Sequence, residues 1–183
     1  MKLYFIRHTA VDVPQGICYG WSDVGLKDSF NDEATVVFEQ IKQIKFDHVF
    51  TSPLSRCTKL ANYCGFTNAI TDHRLKELNF GDWEMQKWDD IQDPNLQNFY
   101  NDWINTATTN GESFQDLYKR FIEFINTLPT TIEKAAIFTH GGIINCARVY
   151  AGVTTIENMF NNAPSYGSIT PLTIFPNCNL NKG

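Results

Sequence analysis

The run Leu3-Tyr4-Phe5-Ile6 is apolar throughout and stops abruptly at Arg7-His8-Thr9. A buried strand that ends in a cation and an imidazole presents them at the sheet edge where α/β proteins bind ligands. The same grammar recurs twice. His48-Val49-Phe50 leads into Thr51-Ser52-Pro53 with Arg56 just beyond, and Ala135-Ala136-Ile137-Phe138 leads into Thr139-His140-Gly141-Gly142. If these strands lie side by side and parallel, His8, His140, Arg7 and Arg56 meet on one rim.

The segments between them read as helices that cover such a sheet. Ala34, Val37, Phe38, Ile41 and Ile44 fall at helical spacing, and the strand at His48 follows almost at once, giving a βαβ unit. Ser52-Pro53 predicts a helix start with Ser52 as cap, a buried stripe of Cys57, Leu60, Ala61 and Cys64, and a stop at Gly65-Phe66. A short strand is expected over 69–71, then the loop 74–84. Leu96, Phe99, Tyr100, Trp103 and Ala107 suggest a helix outside the minimal repeat. Ser113 and Asp116 are spaced as a capping box for a helix with stripe Phe114, Leu117, Phe121, Ile125 and Leu128, which Pro129 ends. Gly141-Gly142 opens a helix through Ala151 with Ile143, Ile144 and Ala147 inward. A last strand is expected over 171–175 and a frayed tail over 177–183.

The fold class expected is α/β: a three-layer α/β/α sandwich with a mostly parallel central sheet, forming a single domain over 1–183. A chain of 183 residues can bury roughly 70% of its unfolded surface, enough to fold without staples. Composition narrows the function. With 43% hydrophobic and 19% charged residues the chain is neither disordered nor membrane-embedded, and a start directly in a strand pattern argues for the cytoplasm. A net charge of −5 and a pI near 5.3 argue against a nucleic-acid surface. The five cysteines have no metal-ligand spacing. Cys57, Cys64 and Cys146 read as small core residues, and all five as free thiols.

Phosphate is the ligand that best explains two arginines, two histidines and a glycine-opened helix start together. Guanidinium forks match phosphate oxygens and stay charged. A neutral imidazole can attack phosphorus, and an imidazolium can stabilise the equatorial oxygens. Backbone N–H groups at Gly141 add an anion site. The leaving oxygen needs a proton, for which Glu77, Asp82 and Glu84 are the loop candidates. With no Walker loop and no ring of carboxylates for magnesium, side chains must stabilise the charge, and no metal or cofactor is expected.

Five stretches then resemble, in order, the motifs of the histidine phosphatase superfamily of phosphoglycerate mutase-like enzymes. These are Arg7-His8-Thr9, Ser52-Pro53-Leu54-Ser55-Arg56, Leu75-Lys76-Glu77 with Phe80-Gly81-Asp82-Trp83-Glu84, Gly111-Glu112-Ser113, and Thr139-His140-Gly141-Gly142. The resemblance implies that His8 is the nucleophile, Glu77 the proton donor, and Arg7, Arg56 and His140 the holders of the phosphoryl group. Departures are Thr9 in place of a glycine, Met85 where a glycine often follows Trp-Glu, and no counterpart to a phosphate-binding asparagine. Val11-Asp12-Val13-Pro14 through Cys18-Tyr19-Gly20-Trp21-Ser22-Asp23 looks most like the α-ribazole phosphatases of cobalamin biosynthesis.

Several readings stay open on sequence alone. Tyr19, Trp21 and Trp83 either stack on a planar substrate base such as dimethylbenzimidazole or form lids packed on the domain. Asp116 and Glu112 read as capping groups, and His48 and His73 as surface or strand-end residues. The function expected is a metal-independent phosphomonoesterase working through phosphohistidine on a small phosphorylated substrate. Its rivals are a broad-specificity phosphatase, a phosphoglycerate mutase-like enzyme, and a phosphate-ester binding protein without turnover. Oligomeric state has no signature in the sequence.

Overall fold

Alternation along the two central strands divides the core in two. The structure is a computed structural model that describes residues 1–175; the tail expected over 177–183, with Cys178, lies outside the described residues. Strands β1 (Lys2–Arg7), β2 (His48–Thr51), β3 (Ile70–Thr71), β4 (Lys134–Thr139) and β5 (Ile169–Thr173) form one sheet in the order β3-β2-β4-β1-β5. The first four pair parallel, and β5 runs antiparallel to β1. The three strands with the repeated grammar are therefore adjacent, with β4 in the middle.

Helices α1 (Phe30–Ile41), α2 (Ser55–Tyr63), α3 (Leu96–Asn101), α4 (Phe114–Thr127) and α5 (Gly141–Tyr150) complete the chain. Successive strand residues face opposite ways. Leu3 and Phe5 of β1 and Ala135 and Ile137 of β4 share a core with Leu117, Phe121, Ile143 and Ala147 of α4 and α5. Ile6, Ala136 and Phe138 instead meet Ala34, Val37 and Ile41 of α1 and Cys57, Leu60 and Ala61 of α2. This is the expected three-layer α/β/α sandwich with a mostly parallel sheet. Cys18, Cys57, Cys64 and Cys146 are buried and unpaired, and among the described residues no helix is long and apolar enough to cross a membrane.

Several local expectations need correction. Helix α2 begins at Ser55, and Ser52 does not cap it. The Ser52 hydroxyl lies 2.8 Å from His140 Nε2, while the Asp23 carboxylate, reaching across from the N-terminal loop, accepts from Ser55 N (2.9 Å) and Oγ (2.8 Å). The last strand lies two residues earlier than expected, at Ile169–Thr173, because β1 sets its register from Lys2↔Thr173 to Ile6↔Ile169. Helix α3 ends at Asn101, and Trp103 packs edge-on against Phe114 and Phe160 at 5.4 and 5.2 Å between centroids. With Cys18, Trp83, Ile91, Phe99 and Trp88, this segment builds a third apolar cluster beside the sheet.

The capping box forms as read. Ser113 Oγ accepts from Asp116 N (3.2 Å), and Asp116 Oδ2 accepts from Ser113 N (2.9 Å) and Oγ (2.7 Å). Replacing Ser113 with alanine removes the acceptor for a first-turn N–H, and the expected cost is about 1 kcal/mol of stability. Urea denaturation checks it: a lower midpoint at an unchanged slope is the expected result.

Candidate active site

Register brings the two imidazoles together. Arg7 of β1 pairs with Thr139 of β4, so His8 and His140 leave the sheet side by side, their ring centroids 5.2 Å apart. His8 is buried, and its Nδ1 lies 2.8 Å from the Thr9 carbonyl oxygen. A carbonyl only accepts, so Nδ1 carries the proton and Nε2 the lone pair. Arg7 donates through Nη1 to the Pro164 carbonyl and lies over the Tyr166 ring, 4.1 Å from its centroid. Its Nε is buried with no hydrogen-bond partner among the described residues, a costly state for a charged donor unless an anion is to be met there.

Arg56 comes from the first turn of α2 and is fully buried. Nη2 donates to the Gly20 carbonyl (2.5 Å), Nη1 to the Ser22 carbonyl (2.8 Å), and Nε to His140 Nδ1 (3.3 Å). A guanidinium cannot accept, so His140 keeps its proton on Nε2 and donates it to Ser52 Oγ. Cys57 Sγ, 3.5 Å from the same nitrogen, completes the enclosure.

The acid loop arrives from the other side. Both Glu77 carboxylate oxygens lie 3.1 Å from Gly142 N at the start of α5, and Oε1 also accepts from Leu78 N (3.0 Å). A Cβ at position 142 would stand 2.2 Å from Glu77 Oε1, so any side chain there would push the Glu77 carboxylate off its place. Arg120 of α4, which sequence reading passed over, ties the loop down. Its Nη1 donates to the carbonyls of Arg74 and Lys76 and its Nη2 to that of Glu77, each at 2.7 Å, while Nε pairs with Glu112 Oε1 at 2.8 Å. Glu112 is thus no helix cap; its other oxygen accepts from Asn79 N (2.9 Å). Glu84 accepts from Gly20 N, Trp21 N, Ser22 N and Phe80 N at 2.8–3.1 Å. Burial opposes its ionisation, but hydrogen bonds from Ser22, Gly20 and Trp21 prevail and hold its carboxyl below the usual range. Of the three acidic candidates, Glu77 alone borders the cavity described next.

That cavity, about 500 Å³, is bordered by Arg7, His8, Arg56, Glu77, Gly141 and Gly142 at one end and by a largely aromatic wall at the other. The wall includes Tyr19, Phe80, Trp88, Phe99, Tyr100, Trp103 and Phe160, most of it from segments that sequence reading gave no functional part. Tyr19 borders the cavity, its hydroxyl 2.7 Å from that of Tyr166. Trp21 does not border the cavity: its Nε1 donates to the Glu77 carbonyl (2.7 Å), and Lys76 Nζ sits over its ring at 3.8 Å. Trp83 is a core residue, 1% exposed, with Nε1 on Asp93 (2.6 Å). His48 stacks on Phe50 and His73 is exposed, both away from the rim.

Electrostatics keep both rim histidines neutral. Burial, reinforced by Arg56 and Arg7, pushes the His8 pKa from 6.5 down to about 3, against the raising effect of the Thr9 carbonyl. Burial, then Arg56 and His8, holds His140 well below its ordinary value. The unfolded chain therefore takes up protons near pH 6.5 that the folded chain refuses until about pH 3, and stability is lost as pH falls through that window. Between pH 7 and pH 5 the His8 share is about 2 kcal/mol. Replacing His8 with glutamine removes that share, so the drop in denaturation free energy over this interval is expected to shrink by that amount, measured by urea melts at both pH values.

The arrangement can bind a dianion, offer it an imidazole lone pair and supply a carboxyl proton. The chain as a whole is similar to known proteins. The adenosylcobalamin/α-ribazole phosphatase of Salmonella typhimurium is 28% identical over 154 residues, covering 79% of this chain and 76% of that protein. Phosphoglycerate mutase-like protein 4 of Arabidopsis thaliana is 27% identical over 157 residues, covering 79% and 68%. The crystal structure of the α-ribazole phosphatase from Shigella flexneri superposes with a TM-score of 0.86 at 26% identity, covering 96% of this chain and 91% of that one, so the fold is the phosphoglycerate mutase-like one. A family model matches residues 3–180, nearly the entire sequence, and through it the chain belongs to the histidine phosphatase superfamily (branch 1), as a phosphatase.

Proposed function

We propose that the chain is an α-ribazole 5′-phosphate phosphatase of cobalamin biosynthesis, acting without a metal through phosphohistidine. On this reading residues 1–183 are one catalytic domain working in the cytoplasm. The observation that carries the chemistry is the tautomer of His8, whose Nδ1 proton is spent on the Thr9 carbonyl. That leaves Nε2 as a lone pair on the rim shared with Arg7, Arg56 and His140.

Nε2 of His8 attacks phosphorus, and the N–P bond forms as the P–O ester bond breaks. Glu77, in its acid form, gives its proton to the departing alcohol oxygen. The Arg7 and Arg56 guanidiniums and the Gly141 backbone hold the phosphoryl oxygens and take up the charge that develops on them. His140, whose ring nitrogens are engaged by Arg56 and Ser52, positions Arg56 instead of holding the phosphoryl group as expected from the sequence. Glu77, now a carboxylate, takes a proton from water, whose oxygen attacks phosphorus and breaks the N–P bond. Inorganic phosphate leaves and His8 is restored.

The cavity wall supports the substrate assignment. A flat apolar base suits a surface of Tyr19, Phe80, Trp88 and Phe160. A mutase must hold a second phosphate or a carboxylate as well, and among the described residues Arg7 and Arg56 are the only arginines or lysines that border the cavity; both belong to the first phosphoryl site.

Phosphate release is measured with EDTA present on α-ribazole 5′-phosphate, 3-phosphoglycerate, a nucleoside 5′-monophosphate and p-nitrophenyl phosphate. The expected result is a strong preference for α-ribazole 5′-phosphate, with no turnover by a folded His8→Ala variant. A flat profile removes the substrate assignment and leaves a broad phosphatase; wild-type rates in His8→Ala remove the nucleophile. A second outcome concerns Glu77→Gln, which is expected to slow an alkyl phosphate at least tenfold more than p-nitrophenyl phosphate, since a good leaving group needs little protonation. Equal losses on both would assign the proton to another group.

A further inference from the structure

Helix α5 buries an amide in an otherwise apolar stripe. Its inward residues are Ile143, Ile144, Cys146 and Ala147, and among them Asn145 is only 2% exposed. Asn145 borders the cavity. Its Oδ1 accepts from Arg148 Nη1 at 3.3 Å. A guanidinium can only donate, so this contact fixes the amide orientation and turns Nδ2 the other way. Nδ2 has no hydrogen-bond partner among the described residues, yet it is not one of the closed-off side-chain atoms. It is thus a donor held in a buried setting, with the cavity as the space beside it. Burying such a group without an acceptor costs stability, and alanine or leucine would fill the stripe without that cost.

Its position is equally specific. Asn145 follows Gly142 by three residues and Gly141 by four, so it occupies the same helix face one turn on, about 5–6 Å away. Gly142 N anchors the Glu77 carboxylate, and Gly141 lies against Arg7. A donor one turn from the group that meets the ester oxygen reaches an oxygen two or three bonds further along the alcohol. Beyond it the wall is Phe114, Leu117 and Met159, which offers no other amide.

We propose that Asn145 is a specificity-determining residue, whose Nδ2 donates a hydrogen bond to an oxygen acceptor on the alcohol portion of the substrate, close to the ester. The substrate class so selected is a phosphomonoester of an oxygen-bearing alcohol, such as a furanose 5-phosphate, with an apolar body beyond it. This rests on the phosphatase reading above and not on the identity of the base. It also explains a polar residue that neither the phosphoryl chemistry nor the packing of α5 requires.

The test compares two alkyl monoesters of like size, methyl β-ribofuranoside 5-phosphate and cyclopentylmethyl phosphate, with and without oxygen acceptors. The readout is the ratio of their kcat/KM values in the wild type, in Asn145→Asp and in Asn145→Leu. Asn145→Asp keeps an oxygen for Arg148 and loses the donor, and the charge it adds acts on both phosphate esters alike and so cancels in the ratio. It thus guards against a result that reflects misfolding, which thermal denaturation reports. The wild type is expected to favour the ribofuranoside, and the ratio to fall about fivefold in both variants, the scale of one net hydrogen bond. A wild type that does not discriminate, or a ratio unchanged in a folded variant, overturns the assignment. Because neither probe carries a base, failure here is distinct from failure of α-ribazole 5′-phosphate in the substrate panel.

Discussion

Parallel pairing of β1 with β4 is the constraint on which the rest depends. Its register, from Lys2↔Lys134 to Arg7↔Thr139, puts His8 and His140 at the same height past the strand ends. It also sends alternate side chains of both strands to opposite cores. A slip of one residue would exchange those faces, moving Leu3 and Phe5 onto the α1 and α2 side and Ile6 onto the other. The two cores therefore hold the site in alignment, because any register that separates the imidazoles also misplaces the hydrophobic set. Local charge then acts on groups that the sheet has already positioned.

That charge is one-sided. Arg56 is fully buried and Arg7 carries a buried Nε, and neither forms a salt bridge among the described residues. Buried cations without carboxylates are expensive. The chain offsets the cost with dipoles: the Gly20 and Ser22 carbonyls turn toward Arg56, and the amides of Gly20, Trp21 and Ser22 turn toward Glu84. The loop's backbone is thus polarised between an arginine and a glutamate. These bonds tie the N-terminal loop to the rim, and no carboxylate pairs with either rim arginine among the described residues. Burial and the field of these arginines keep the imidazole of His8 neutral.

Most of the sheet and the rim was legible because their signals are local. Apolar runs ending in Arg7-His8 and Thr139-His140, and the box at Ser113 and Asp116, each lie within a few residues. What was not legible depends on distant partners. Ser52 has the sequence of a helix cap, but His140, far along the chain, engages it, and Asp23 takes over the cap. Glu112 sits just before a helix and reads as part of its cap, yet Arg120 and Asn79 take its oxygens. Arg120 itself stands in an amphipathic helix where an arginine looks like a solvated residue, and only the folded loop shows the three carbonyls it gathers. Trp21 and Trp83 carry the same chemical potential for stacking as Tyr19, and their partners, Lys76 and Asp93, are set by tertiary structure.

The aromatic segment between Phe80 and Trp103 shows why reaction and selectivity separate so cleanly in this chain. On the proposed reading the groups that hold the phosphoryl come from strand ends and the first turns of α2 and α5, elements locked into the two main cores. The wall comes from a third cluster around Trp83, Trp88 and Phe99, joined to the body through edge-to-face contacts such as Trp103 with Phe114. Substitutions in that cluster can reshape the cavity without disturbing the pairing of β1 and β4 that aligns His8 with His140. On the proposed reading the chemistry, together with the Asn145 contact near the ester, is carried by the part of the fold least able to change, and the fit to the apolar body beyond it by the part most able to.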